Sequence, residues 1–159
     1  SSRSSIWSPE GDSWDAPVMP VNSLNLETCS TTVQGSTFEV PKRYRIDEPM
    51  SHGAYGIVVS AEDHELEDKV ALKKIEGVFE HITIAKRTLR ELRILRHLQH
   101  ENLMQVKNIF MVGSRESFKE LYVVSELMET DLASTLRSSQ MLTDDHCQFF
   151  LYQILRGMK

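Results

Sequence analysis

The sequence has few cysteines, no long apolar run and no excess of basic charge, and each shortage excludes a class of protein. Its two cysteines, Cys29 and Cys147, are too few for a disulfide framework or a zinc site, which indicates reduced thiols. No apolar run approaches the roughly 18 residues that a membrane helix needs, and the serine-rich N-terminus is not typical of a signal peptide. The net charge of −5 argues against a nucleic-acid partner. We therefore expect a cytoplasmic and nuclear protein with no membrane and no nucleic-acid partner.

A chain of 159 residues is long enough for one domain with a sizeable core. Residues 1–40 are rich in Ser, Thr, Pro, Asn and Asp without a sustained period, and they are interpreted as a low-complexity, disordered extension. Trp7, Trp14 and Phe38 are unusual in such a segment. They are either incidental apolar residues or side chains that dock onto the domain.

From residue 44 onward, short β-branched runs and amphipathic stretches predict an α+β fold. Thr143 is expected to cap the last helix, with Asp144 and Asp145 complementing the positive end of its dipole. The predicted strands are 44–50, 57–62, 70–75, 105–112 and 121–127, and the predicted helices are 84–98, 132–137 and a longer one that begins at 143.

A glycine-containing hairpin lies between the first two of these strands, at residues 51–58. Glycine suits a sharp turn whose backbone approaches a ligand, although many ordinary hairpins also contain two glycines. The β-branched run after Gly56 predicts strand–loop–strand. A dinucleotide-binding fold or a GK[ST] phosphate loop would instead need a helix after the loop, and neither motif is present.

Glu91 stands out by its position on the predicted helix 84–98. With Ile84 at zero and about 100° per residue, Leu95 falls near 20° and Glu91 near 340°, in the middle of the apolar stripe. A carboxylate there is costly unless it meets a cation. Lys73 ends an otherwise apolar strand and could be either a solvated edge residue or that cation.

Two further stretches carry open alternatives. The opposite face of the same helix is basic, and it is either a solvated charged face or an anion-binding patch, since arginines suit phosphate oxygens. The connector 125–132 is either an ordinary strand-to-helix loop or a backbone edge able to pair with adenine, with Asp131 accepting from ribose hydroxyls. The basic residues are Lys86, Arg87, Arg90, Arg93 and Arg96.

Several motifs, taken in order, resemble the mitogen-activated protein kinase family. The resemblance covers roughly residues 38–159, nearly everything but the N-terminal extension. The matching segments are Val70-Ala71-Leu72-Lys73, Phe79-Glu80-His81, Arg87-Thr88-Leu89-Arg90-Glu91, His100-Glu101-Asn102, Met128-Glu129-Thr130-Asp131-Leu132 and Tyr152-Gln153-Ile154-Leu155-Arg156-Gly157.

The resemblance implies a kinase N-lobe at 41–127, with a five-stranded antiparallel sheet and one helix, followed by the hinge and an incomplete C-lobe at 128–159. It implies a serine/threonine kinase that uses ATP and Mg²⁺ on protein substrates at Ser/Thr-Pro sites and is activated by an upstream dual-specificity kinase.

The resemblance also assigns roles to single residues. Lys73 would hold the α- and β-phosphates and Glu91 would position it. Val58 and Ala71 would enclose adenine, and Arg87 and Arg90 would bind a phosphothreonine of the activation loop. The residues expected around ATP are Met50, Ser51, His52, Gly53, Ala54, Tyr55, Gly56, Ile57, Val58, Ala71, Lys73, Ser125, Glu126, Met128 and Asp131.

Three departures from the family pattern qualify this expectation. Ser51 replaces the first loop glycine, and Ser125 replaces a larger side chain before the hinge, which would open a rear pocket to bulky adenine-site inhibitors. The family's catalytic base, metal ligands and activation segment would all lie beyond Lys159. We therefore expect part of a longer kinase with no activity of its own; the alternative is a short, non-catalytic nucleotide-binding or decoy module.

Overall fold

The computed structural model describes residues 27–53, 56–112 and 118–159, and seven strands and three helices lie within them. The predicted α+β class is confirmed. The strands are β1 (Thr28–Val33), β2 (Ser36–Pro41), β3 (Tyr44–Gly53), β4 (Gly56–Asp63), β5 (Asp68–Ile75), β6 (Val106–Met111) and β7 (Leu121–Glu126), and the helices are α1 (Ile82–His97), α2 (Leu132–Arg137) and α3 (Asp144–Met158).

Five of the strands form one antiparallel sheet in the order β3-β4-β5-β7-β6. Along β4 and β5 every second side chain is buried, as expected for strands whose side chains point alternately to the two faces. One face of the sheet receives the β1–β2 hairpin and the other receives α1. We call them the hairpin face and the helix face.

The β1–β2 hairpin corrects the expected domain boundary. Its two-residue turn, Gln34-Gly35, has positive φ at both positions, which matches the twist of paired strands. Phe38 and Val40 of β2 are completely buried on the hairpin face. The prediction of a disordered extension is therefore wrong for residues 28–40. Phe38 and Val40, with Cys29 and Val33 packed against the same cluster, carry the apolar signal there, and polar residues separate them too widely for a clear sequence period. Trp7 and Trp14 lie outside the described residues.

An aromatic column forms the centre of the hairpin face. The rings of Tyr44, Phe110 and Tyr122 stack in succession, with centroids 5.6 and 4.9 Å apart, and Phe38 tilts against Tyr122 at 6.2 Å. The Arg43 guanidinium lies 5.2 Å above the ring of Tyr44. Large apolar rings bury more surface than other side chains, so this column anchors the hairpin to the sheet.

Helix α1 lies against part of the helix face. It packs near the smaller cluster of Ile75, Val78, Leu121 and Val123, to which Leu92 contributes. Thr88 is the one residue of α1 that is buried. The apolar stripe predicted from helical periodicity is thus only partly covered, since Ile94 and Leu98 remain exposed.

Helix α3 begins as the sequence predicts. The Thr143 hydroxyl accepts from the His146 amide, the His146 side chain accepts from the Thr143 amide, and Asp144 and Asp145 occupy the first turn. None of the described helices is both long enough and apolar enough to cross a membrane. Several large apolar side chains of α3 are exposed, namely Phe149, Leu151, Tyr152, Ile154 and Leu155.

Candidate functional site

The site is built around Lys73, which β5 places on the helix face of the sheet. In the register of the sheet Lys73 pairs with Val58 on β4 and with Val123 on β7. Because side chains alternate along a strand, Ala71 and Lys73 point to the helix face while Leu72 and Lys74 point to the hairpin face. The strand therefore delivers the Lys73 ammonium towards α1.

Glu91 of α1 meets this ammonium directly. The Lys73 Nζ lies 2.8 Å from Glu91 Oε1, so the expected pairing of the two residues is confirmed. The side chains are 30% and 50% exposed, respectively. Glu91 is thus less buried than its place in the apolar stripe predicted. An ion pair this open contributes at most about 1 kcal/mol to stability, so its main effect is to fix the position of the lysine.

A cavity of about 500 Å³ lies between β5 and α1, next to this ion pair. Its walls combine apolar side chains with four charged ones, and two of these are Arg87 and Arg90. The structure thus brings the Lys73–Glu91 pair and the two predicted phosphate-binding arginines around one space. The lining residues are Lys73, Ile75, Ile84, Arg87, Thr88, Arg90, Glu91, Ile94 and Leu95.

The predicted strand–loop–strand arrangement is present at β3 and β4. Ser51 pairs with Val58, and Gly53 pairs with Gly56 at the end of the hairpin. Gly56 has a φ of +138°, a conformation that side chains with a Cβ rarely adopt. Met50 and Ser51 are exposed, whereas Ala54 and Tyr55 lie outside the described residues.

The two residues expected to enclose adenine share the face of Lys73. Val58 is half-buried and pairs directly with Lys73, while Ala71 pairs with Ser60 on one side and with Ser125 on the other. The side chains at positions 71 and 125 are both small, and they lie side by side between Lys73 and the end of β7.

Beyond β7 the chain leaves the sheet at the predicted connector. Glu126 ends the strand and Met128 is about half exposed. The Asp131 carboxylate caps α2, because its two oxygens accept from the backbone amide and the hydroxyl of Ser134, both at 2.8 Å. These hydrogen bonds hold the pKa of Asp131 below its usual value. The Asp-x-x-Ser spacing could have revealed this N-cap, which the sequence reasoning missed.

Lys74 is a second residue that the sequence reasoning missed. Its side chain is buried on the hairpin face among ionic and hydrogen-bonding partners. The signal was available, since alternation along β5 places Lys74 in register with the buried Val70 and Leu72. A charged residue at a buried position of a strand requires partners from elsewhere in the fold.

No group of three or more His, Cys, Asp or Glu side chains able to hold a metal ion occurs in the part of the chain that the structure describes. The Lys73 side chain is 30% exposed, so its ammonium can contact an anion. Both cysteines are free thiols.

Comparison with known proteins gives a family match over most of the chain. The model of the protein kinase domain family matches residues 44–159. The chain is 49% identical over 143 residues to extracellular signal-regulated kinase 1 of Dictyostelium discoideum. The aligned segment is 90% of this chain and 27% of that protein. It is 52% identical over 128 residues to mitogen-activated protein kinase 4 of Arabidopsis thaliana, and this aligned segment is 80% of the chain and 34% of that protein.

A rice relative gives the same result: mitogen-activated protein kinase 6 of Oryza sativa subsp. japonica is 51% identical over 128 residues, or 80% of this chain. The matched segment is 34% of the rice protein. The chain thus spans about a third of the length of the curated relatives it matches.

Proposed function

The chain belongs to the protein kinase family as a homologue of mitogen-activated protein kinases, and on that premise we propose that it forms the ATP-binding part of a proline-directed serine/threonine kinase. The complete protein would transfer the ATP γ-phosphate to Ser/Thr-Pro sites of other proteins in cytoplasmic and nuclear signalling, under an upstream dual-specificity kinase. One observation carries the proposal, namely the 2.8 Å contact between Lys73 and Glu91.

This ion pair gives Lys73 a defined place on the floor of the site. A fixed ammonium stabilises negative charge better than a mobile one, because its orientation costs nothing further when the ligand arrives. We propose that Lys73 holds the α- and β-phosphates and that Glu91 positions Lys73. The Lys73 side chain is 30% exposed, which leaves the ammonium accessible to an anion.

For the nucleoside, we propose that Val58 and Ala71 contact adenine and that Met50 through Val58 covers the nucleotide. The carbonyl of Glu126 and the amide of Met128 would pair with the adenine edge. Asp131 would accept from a ribose hydroxyl, for which its carboxylate keeps free lone pairs beside the two Ser134 bonds.

For regulation, we propose that Arg87 and Arg90 bind a phosphothreonine. Both line the cavity that also holds Glu91, so an anion bound there would act on the same helix that positions Lys73. Planar guanidinium groups suit the oxygens of a phosphate.

In phosphoryl transfer most of the rate comes from positioned metal ions and charge stabilisation. We propose that Lys73 and the neighbouring residues on the helix face hold ATP, and no group of three or more side chains able to hold a metal ion occurs among residues 27–53, 56–112 and 118–159. We therefore propose that the 159-residue chain binds nucleotide and does not transfer phosphate.

Calorimetric titration of the chain with ATP tests the proposal. We expect ATP to bind, and we expect Lys73→Met to weaken binding about tenfold or more, since a charge-assisted contact to phosphate is lost. Lys69→Met is the matched control, because Lys69 is an exposed lysine on the same strand. Equal affinity in the wild type and Lys73→Met would overturn the assigned role, and phosphate transfer to a peptide would overturn the expected inactivity.

A further inference from the structure

Lys74, the neighbour of the site lysine, is buried yet has a complete set of partners. Its side chain is 2% exposed and lies on the hairpin face, opposite to Lys73. Two of its partners come from β2, so the ammonium ties the hairpin to the sheet. The Nζ lies 3.1 Å from Ser36 Oγ, 2.6 Å from the Thr37 carbonyl, 2.9 Å from Glu76 Oε1 and 2.9 Å from Glu120 Oε1.

A second link between hairpin and sheet runs beside the first. Tyr122, the cross-strand partner of Lys74 on β7, donates its hydroxyl to Glu120 Oε2 at 3.0 Å and accepts from the Glu39 amide at 3.1 Å. Glu120 thus connects Lys74 and Tyr122, and both hold β2. The network fixes the hairpin against the last residues of β5.

The same residue contacts the glycine hairpin through its backbone. A Cβ added to Gly56 would lie only 2.1 Å from the Lys74 carbonyl oxygen, so Gly56 sits directly against this peptide group. The preceding residue is Lys73, whose side chain points to the opposite face of the strand and contacts Glu91 there. Lys74 therefore contacts the β1–β2 hairpin through its side chain and Gly56 through its carbonyl group, and it is joined directly to Lys73 in the chain.

We propose that Lys74 is a positioning residue that transmits the docking of the β1–β2 hairpin to the placement of Lys73. The inference rests on the proposed nucleotide function of Lys73. The Lys74 ammonium fixes the end of β5 from the hairpin face, and that constraint sets where Lys73 emerges on the helix face. The β1–β2 hairpin thus contributes to phosphate binding without contacting the ligand.

Stability alone explains this buried cation poorly. Taking an ammonium out of water is costly, and replacing a buried ionic group by an apolar one of similar size is often neutral or even stabilising. A methionine at position 74 would fill much of the same space, and the partly exposed Glu76 and Glu120 could turn to water. What methionine cannot do is hold the Thr37 carbonyl and the two carboxylates in one arrangement.

The test compares two ligands that differ in their phosphates. We expect Lys74→Met to weaken ATP binding about fivefold or more while leaving adenosine binding unchanged, since the effect passes through the phosphate-binding lysine. In a Lys73→Met background the additional substitution should have no effect on ATP affinity, because the residue through which it acts is absent. A general loss of structure would weaken both ligands and would persist in that background.

Two variants complete the design. Lys107→Met is the matched control, because Lys107 pairs with an exposed aspartate, Asp68, on the same sheet. Glu120→Gln removes one charge from the network without removing a buried cation, so it keeps the test valid if Lys74→Met fails to fold. We expect Glu120→Gln to weaken ATP selectively and Lys107→Met to change neither ligand. Equal weakening of ATP and adenosine, or no weakening, in the network variants would overturn the inference.

Hydrogen exchange separates this inference from the proposed function. If the wild type binds no ATP, the proposed function fails. The coupling between the β1–β2 hairpin and the strand that begins at Gly56 can still be measured without a ligand. We expect amides of residues 56–62 to exchange faster in Lys74→Met, with residues 106–111 unchanged. Unchanged exchange at 56–62 would overturn the coupling even in a chain that binds ATP.

Discussion

Gly56 lies against the carbonyl group of Lys74, so close that a Cβ at position 56 would stand 2.1 Å from the Lys74 oxygen. The two residues belong to the adjacent strands β4 and β5, and the contact holds the first residue of β4 against the end of β5. Both the left-handed φ and the close approach require glycine at this position.

Replacement of Gly56 by alanine should therefore be strongly destabilising. We expect Gly56→Ala to lower the free energy of unfolding by about 2 kcal/mol or more, from backbone strain and the clash with Lys74. Gly35→Ala is the control, because Gly35 also has positive φ but has no atom within 4 Å of an added Cβ. Urea unfolding followed by circular dichroism measures both, and equal losses would contradict the role of the Lys74 contact.

The capping box of α3 predicts a smaller effect. We expect Thr143→Ala to lower the free energy of unfolding by about 1 kcal/mol, because the His146 amide loses its side-chain acceptor. Ser139→Ala, a change at an exposed serine in the preceding connection, should alter stability by a few tenths of a kcal/mol. The same urea titrations decide the matter, and indistinguishable midpoints would rule out a stabilising cap.

Tyr122 predicts a loss of stability at alkaline pH. Burial raises the pKa of Tyr122 well above that of an exposed tyrosine, against the opposing hydrogen bond from the Glu39 amide. The unfolded chain releases this proton near pH 10 and the folded chain does not, so stability falls as pH rises above about 10. We expect Tyr122→Phe to reduce this slope and to cost about 1–3 kcal/mol at neutral pH, since the Glu39 amide loses its acceptor.

The control for that change is Tyr152→Phe, because the Tyr152 side chain is largely exposed. Urea titrations between pH 8 and about 11 compare the variants with the wild type. If Tyr122→Phe kept the full alkaline slope, the ionisation of Tyr122 would not be its source.

Asp63 predicts a loss of stability in acid. Burial acts to raise its pKa, but hydrogen bonds from Arg43 and from the amides of Glu65 and Leu66 outweigh it and hold the pKa below its usual value. The stabilisation is present above about pH 4 and is lost as pH falls towards the lowered pKa. Both Arg43 contacts, from Nε and Nη2, measure 2.7 Å.

We expect Asp63→Asn to destabilise the chain by about 2 kcal/mol or more at neutral pH and to flatten the acid limb of the stability profile. Asp68→Asn, at an exposed ion pair with Lys107, should change little. Stability measured against pH checks both variants. An acid limb as steep as that of the wild type would exclude Asp63 as its cause.

Ser125 predicts sensitivity to bulky ligands of the adenine site. It pairs with Ala71, so two small side chains stand together on the helix face. We expect Ser125→Met to abolish binding of inhibitors with a large substituent directed behind the hinge, while ATP still binds. Inhibitor titrations of the two proteins test this, and unchanged inhibitor affinity would show that Ser125 does not gate the pocket.

Local patterning predicted most of the sheet and the helices of this chain. The expected ends of helix 132–137 agree with those of α2, and the other predicted elements differ from the observed ones by a few residues. Alternation in β4 and β5 is a local property, and so is the capping signal at Thr143. Glu91 was also identifiable, because a carboxylate within an apolar stripe calls for a partner.

The β1–β2 hairpin was not predictable in the same way. Its strands are rich in threonine and serine, and Phe38 and Val40 are buried only because the hairpin face of a distant sheet receives them. The degree of burial of Glu91 also escaped prediction, since helical periodicity gives a direction but not how much sheet lies beneath the helix.

The sequence by itself determined the family, the order of strands and helices, and the two residues that form the ion pair of the site, because these depend on side-chain types at short, regular spacings. Only the tertiary structure decided which groups bind Lys74, namely Ser36 and Thr37 of β2, Glu76 just after β5 and Glu120 just before β7. Those partners lie up to 46 residues from Lys74 in sequence. They meet only when the hairpin docks, and a local pattern carries no information about that contact.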